Sequence, residues 1–183
     1  MQTAASVSIT QNVPCPPPNW NARKFPVSRG SIRPEAPPRK SQPSTTMAPI
    51  SQGRWALEMA LDHAKQREAF GAKISEYQGV SFPLAESATE LHAAHLMGLN
   101  AATLLDRGDK ALKELSMAKA YSVQAGLRAV DRAIQTHGGM GLTNEVGLVH
   151  AWQDLRIVNI ADGTNEILTR MIAQRLLAGD LDL

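Results

Sequence analysis

Three short runs hold most of the side chains able to do chemistry. Asp162-Gly163-Thr164-Asn165-Glu166 stands just ahead of an apolar segment. A hydroxyl or carboxylate at such a helix start sits among free amides, where a phosphate could also be held. The plainer reading is structural: Asp before Gly-Thr makes an Asx-turn or a cap, and Glu166 in a first turn favours the dipole by roughly 0.3–1 kcal/mol. Arg67-Glu68-Ala69-Phe70-Gly71 carries a guanidinium whose planar fork pairs two phosphate oxygens at once, although an arginine at a helix end also serves the dipole. Gln135-Thr136-His137-Gly138-Gly139-Met140-Gly141 offers glycines that permit close backbone approach and equally explain a helix C-cap. It is not a Rossmann loop, since no strand precedes it. His92 and His95 have i, i+3 spacing, but no Glu-x-x-His pair is repeated on another helix, so no metal site is expected. The single cysteine, Cys15, excludes an internal disulfide and cysteine-based metal sites.

These runs need helices to position them. From Gly53 onward Ala, Leu, Glu, Lys, Gln, Arg and Met dominate without β-branched alternation. A first helix is expected over about 54–68, with Trp55, Met59, Ala60, His63 and Ala64 on its buried stripe, ending at Phe70-Gly71. Ser75 and Gln78 then form a capping box that opens a second helix to about Leu105, bent or delayed by Pro83. A third runs over about 110–136, where Ala118, Ala125, Gly126 and Ala129 admit a close neighbour. A fourth covers about 145–155 with Asn144 as N-cap, and a last about 165–177 with Thr164 as N-cap. Trp55 and Trp152 read as core or interface anchors. Short connections between long helices predict an all-α, antiparallel up-and-down four-helix bundle.

That domain is assigned to residues 51–183. Residues 1–50 read as a disordered, basic leader: they hold ten of the eleven prolines and six basic residues against the single acid Glu35. The formal net charge of +2 belongs to that segment, because from Ser51 there are 13 basic and 16 acidic residues. A mildly acidic domain lacks the clustered basic surface of a nucleic-acid binder. No apolar run reaches the 18 residues of a membrane span, so no membrane partner is expected. The leader's prolines oppose the amphipathic helix of an import signal, and the Asp-Leu-Asp-Leu terminus is not a peroxisomal address, so the compartment stays open.

The three runs, in this order, resemble the acyl-CoA dehydrogenase family. Gln78 seven residues after Gly71, Met117-Ala118-Lys119 and Asp154-Leu155-Arg156 also match its pattern. The likeness covers about residues 53–178, which in the family is the C-terminal four-helix domain. Full members also carry an N-terminal helical domain and a middle β-domain, which fifty Pro-rich residues cannot hide. The chain therefore reads as a partial enzyme whose first helix looks cut at Pro43 and Pro49.

What the resemblance implies is FAD-dependent α,β-dehydrogenation of an acyl-CoA thioester, with the cofactor shared between subunits of a homo-oligomer. Asp162 matches the family's catalytic base, one methylene shorter than the commoner glutamate. Such a base needs a dry site to raise its pKa, and a misplacement of about 1 Å can cost about 10²-fold in rate. Thr164 and Glu166 match cofactor contacts beside it. Arg67, Phe70, Gln78, Gln135 and Gly139 match residues that reach a neighbouring subunit's FAD. The alternative is a catalytically incompetent family remnant acting as a helical association module, and a third reading gives it a separately encoded partner. Exposed apolar surface is expected on any of these readings. A mitochondrial or peroxisomal place follows from the resemblance alone.

Overall fold

The computed structural model describes residues 42–181, with side chains from Thr46 to Leu181. The described residues form five α-helices: α1 (Gln42–Gln66), α2 (Gln78–Asp106), α3 (Leu112–His137), α4 (Leu148–Val158) and α5 (Asn165–Leu177). Between α1 and α2 lies a hairpin of two two-residue strands, β1 (Glu68–Ala69) and β2 (Ala72–Lys73), paired antiparallel.

Contacts between the helices define four legs. A Cβ on Gly98 would lie 3.2 Å from Met47 Sδ and one on Gly53 2.6 Å from Leu91 Cδ2, so α1 and α2 run antiparallel. Gly126 meets Pro49, and His63 stacks on His137, so α3 runs parallel to α1. Gln124 bonds Asn159, and Lys113 bonds Asp180, so α4 and then α5 descend along α3. The fourth leg is thus α4 plus α5, broken between Val158 and Asn165. The expected up-and-down bundle is present, with its last leg in two pieces.

Core residues explain the close packing. Along α2 the buried positions are Leu84, Ser87, Leu91, Ala94, Gly98 and Ala101, alternating by three and four. Ala118, Ala125, Gly126 and Ala129 of α3 are buried, as their small size predicts: Ala118 packs on Ala101 of α2, while Ala125 and Ala129 pack with Ile50 of α1 and a Cβ on Gly126 would meet the Pro49 carbonyl oxygen at 2.7 Å. Arg128 and Arg132 grip Glu90 from α3 to α2 at 3.0 and 3.1 Å, and Arg132 also reaches Glu86 and Ser87. These pairs set register more than stability, since partly exposed ion pairs contribute about 0–1 kcal/mol.

Several sequence expectations change. α1 begins twelve residues before Arg54, so residues 42–50 of the segment expected to be a disordered leader belong to the helix; residues 1–41 lie outside the described residues. Pro43 falls in the first turn, where a missing amide costs nothing. Pro49 forfeits one hydrogen bond but is fully buried against α3. The buried stripe of α1 is Ala56, Ala60 and Ala64, whereas Trp55 and Trp152 are 40% and 38% exposed and so are not core anchors. Ser75 sits in a single turn of 3-10 helix over Ile74–Glu76, Tyr77 is the N-cap of α2, and no side chain caps it, so the capping box does not form. Pro83 does not delay α2, because Gln78 already starts it. α4 starts at Leu148 behind Gly147, not behind Asn144. Phe70 and Gly71, both at positive φ (55° and 86°), make the tight hairpin turn that β1 and β2 need, not a helix cap.

Candidate active site

The break in the fourth leg carries the best catalytic candidate. Asp162 (φ 53°) and Gly163 (φ 100°) both adopt the left-handed backbone that reverses a helix locally. Asp is among the few side chains that tolerate it. Thr164 then starts α5, its hydroxyl oxygen accepting the Ile167 amide at 3.5 Å as the sequence predicts. The same hydroxyl donates to Glu166, and that bond, with the Glu166 amide and nearby Arg156, holds the Glu166 carboxyl below the usual range. Asn165 Oδ1 is buried without a hydrogen-bond partner among the described residues.

Asp162 and Gly163 line a cavity of about 150 Å³ between α3 and α5, whose other walls include Leu112, Leu115, Leu168, Met171 and Lys119. The Asp162 side chain is exposed at this mouth, not dry. Lys119, only 5% exposed, donates from Nζ to the Ala161 and Gly163 carbonyls at 2.5 and 3.0 Å. Burial pushes its pKa down, and the charge of Asp162 opposes that. The sequence places Lys119 in a family motif but assigns it no role. Its acceptors lie more than forty positions away, so no local pattern signals them.

A second site lies sixteen residues further along α3, roughly 24 Å at 1.5 Å per residue. Here the structure brings together Arg67, Gln135 and Gly139 around an open cavity of about 440 Å³, which His63, His137 and Gly138 also line. Neither Gly138 nor Gly139 would meet anything within 4 Å if given a Cβ, so both present bare backbone to open space. The Arg67 guanidinium has no ion-pair partner among the described residues. His137 Nδ1 donates to the Ala133 carbonyl at 2.8 Å, since a carbonyl can only accept. Its ring stacks on His63 at 4.4 Å. Burial first, then His137 and Arg67, push the His63 pKa below its ordinary value. An unpaired guanidinium, two imidazoles and exposed glycine backbone fit a pyrophosphate.

Phe70 stands beside this cavity in sequence but not in contact with its floor: it is 100% exposed at the hairpin tip. Tyr77, which no sequence motif singles out, braces that tip by donating its hydroxyl to the Ala69 and Phe70 carbonyls at 3.1 and 3.3 Å. Gln78 is exposed at the first turn of α2. The candidate residues therefore fall in two groups at opposite ends of α3: Asp162, Thr164 and Glu166 at one, Arg67, Gln135 and Gly139 with the Phe70 hairpin and Gln78 at the other. Among the described residues no cluster of three or more potential metal ligands occurs, and no helix is long and apolar enough to cross a membrane.

Comparison with known proteins identifies the family of the helical domain. The family model for the acyl-CoA dehydrogenase C-terminal domain matches residues 40–177, which includes the whole of α1. The chain is 41% identical over 124 residues to an acyl-CoA dehydrogenase of Bacillus subtilis, covering 68% of this chain and 33% of that protein. It is 38% identical over 122 residues to a 3-(aryl)acrylate reductase of Clostridium sporogenes, covering 67% and 32%. Among solved structures it is similar to PigA with FAD and proline, at a TM-score of 0.72 and 29% identity over 74% of this chain and 36% of that one. The chain thus spans about a third of the length of the curated relatives it matches. From the ordered motifs, the broken fourth leg and this match, the chain belongs to the acyl-CoA dehydrogenase family, of which it carries the C-terminal helical domain.

Proposed function

We propose that this chain serves FAD-dependent α,β-dehydrogenation of an acyl-CoA thioester, with Asp162 as the base. The observation that carries the reading is the turn itself: a carboxylate in left-handed backbone, at the mouth of a largely apolar cavity, at the break of a helical leg. Backbone held in a sparsely populated region at a cavity mouth is characteristic of functional sites. Asp162 takes the proton α to the thioester carbonyl, and the electron pair so released forms the new double bond as a hydride leaves the β-carbon. Bound FAD supplies the acceptor for that hydride.

The chain's own residues provide three further services. Thr164, at the N-terminus of α5, offers a hydroxyl and neighbouring amides to an anionic or carbonyl group. Glu166, held ionised by Thr164, is available to a donor on the cofactor. Arg67, Gln135 and Gly139, which line one open cavity, would hold the pyrophosphate and adenosine side of a second FAD, belonging to a neighbouring copy. Phe70, wholly exposed and braced by Tyr77, inserts into the same neighbour. The expected apolar surface is present, at Trp152, Ile157 and Ile160 among others. It supports association with another copy or with further parts of the enzyme, whose cover would also dry Asp162.

The alternative, a non-catalytic association module, draws on the same exposed surface and on the exposure of Asp162. One experiment separates them. Full-length chain is incubated with FAD, a straight-chain acyl-CoA and an artificial electron acceptor, and the thioester is analysed by mass spectrometry. Loss of two hydrogen atoms supports the enzyme; an unchanged thioester with an oligomer that retains no flavin supports the module.

A further inference from the structure

Left-handed backbone at Asp162 is held by something, and the carbonyls around it have lost their helical partners at the break between α4 and α5. Both needs meet at one atom. Lys119, buried on α3, donates from Nζ to the Ala161 carbonyl on one side of Asp162 and to the Gly163 carbonyl on the other. The Ala161 carbonyl lies in the peptide that enters Asp162 and the Gly163 carbonyl in the peptide that leaves Gly163, so bonding both brackets the two-residue left-handed turn from which the Asp162 side chain emerges. From this geometry we infer that Lys119 is a positioning residue for Asp162, its ammonium clamping the turn so that the carboxylate stays at the cavity mouth.

A buried ammonium is a costly way to fill this place. Desolvation works against its charge, and an apolar residue of similar volume would pack against Leu115 and Leu168 without that cost. A charge-assisted clamp makes sense where a turn must be held in one geometry. The inference rests on the reading of Asp162 as the base, and its test separates the two.

The full chain is compared as wild type, Lys119→Met and Lys119→Arg under an endoproteinase that cuts before aspartate, without cofactor. Cleavage of the Ala161–Asp162 bond, followed by mass spectrometry, is expected to be several-fold faster in Lys119→Met, with helicity unchanged by circular dichroism. Lys119→Arg, whose fork can still reach two carbonyls, is expected to restore resistance. Equal cleavage of wild type and Lys119→Met would overturn the clamp whatever the enzyme does. The FAD-loaded full chain is then mixed with acyl-CoA, and flavin bleaching is timed for wild type, Lys119→Met, Asp162→Asn and the double variant. Lys119→Met is expected to slow bleaching by up to about 10²-fold with apparent KM little changed. The double variant is expected to match Asp162→Asn, as groups acting as one unit do. Multiplicative losses in the double variant would overturn the positioning role and leave Asp162 as base. Wild-type bleaching by Asp162→Asn would overturn the base itself, and with it the catalytic purpose of the clamp.

Discussion

Gly126→Ala probes the contact that brings residues 42–50 into the fold. Its new methyl would lie 2.7 Å from the Pro49 carbonyl oxygen and 3.3 Å from the Pro49 carbonyl carbon. Ordinary contact begins near 3.4 Å, so α1 must retreat by about 0.7 Å, and both obstructing atoms are backbone. Overpacking of that kind costs about 1–3 kcal/mol, while replacing glycine by alanine inside a helix returns about 1 kcal/mol. Because both obstructing atoms are rigid backbone, the cost is taken in the upper part of that range, about 2–3 kcal/mol, for a net loss of about 1–2 kcal/mol and a fall in Tm of roughly 3–8 °C for a domain of this size. Gly98→Ala is the control: its methyl meets Met47 Sδ at 3.2 Å, the soft end of a flexible side chain, so the gain in helix propensity prevails. Thermal melts by circular dichroism read both. A Gly126→Ala protein melting at or above wild type would show that α1 is not seated through Pro49 on α3.

Further outcomes follow from the same geometry. Asp162→Gly relieves left-handed strain and is expected to raise stability by up to about 1 kcal/mol while abolishing flavin reduction, checked by urea titration beside the bleaching assay; a destabilised variant would contradict the strain. His63, with its folded pKa below the unfolded value, binds fewer protons folded than unfolded below about pH 6.5. Stability is therefore expected to fall as pH drops from 6.5 toward the folded pKa, and His63→Gln should flatten that slope in urea titrations. FAD bound beside Arg67 is expected to raise the His63 midpoint in an NMR titration, and an unmoved midpoint would place the pyrophosphate elsewhere. Asp180→Ala is expected to cost more than Lys113→Met, because the first takes the nearest carboxylate from a buried ammonium and the second removes the ammonium itself; equal losses in urea midpoints would contradict this asymmetry. Phe70→Ser should leave Tm unchanged and weaken self-association in analytical ultracentrifugation, since the ring touches solvent on all sides.

How much of this fold is legible in the sequence depends on how local each cause is. The Thr164 cap, the end of α3 at Gly138 and the small residues facing α1 are each determined within a few residues or by one neighbour's size, and all are present. The start of α1 is hidden because Pro43 falls in a first turn that tolerates proline and Pro49 obeys a local rule that burial against α3 overrides. Ser75 and Gln78 have the letters of a capping box, yet a 3-10 turn and the Tyr77 hydroxyl on the hairpin tip take that segment another way. Strands two residues long leave no alternation to see. The motifs identify which residues belong together, but the division into two groups at opposite ends of α3 and the clamp of Lys119 on a turn more than forty residues distant need the packed bundle.

The proposed catalysis rests on the Asp162 carboxylate, and the rate of flavin reduction tests it most directly. FAD-loaded wild type and Asp162→Asn are mixed anaerobically with the same acyl-CoA, and absorbance in the flavin band is followed. Asparagine keeps the size and the turn but cannot accept the proton, so both proteins should hold FAD equally while Asp162→Asn bleaches only at a slow residual rate. Equal bleaching by both proteins would contradict the assignment.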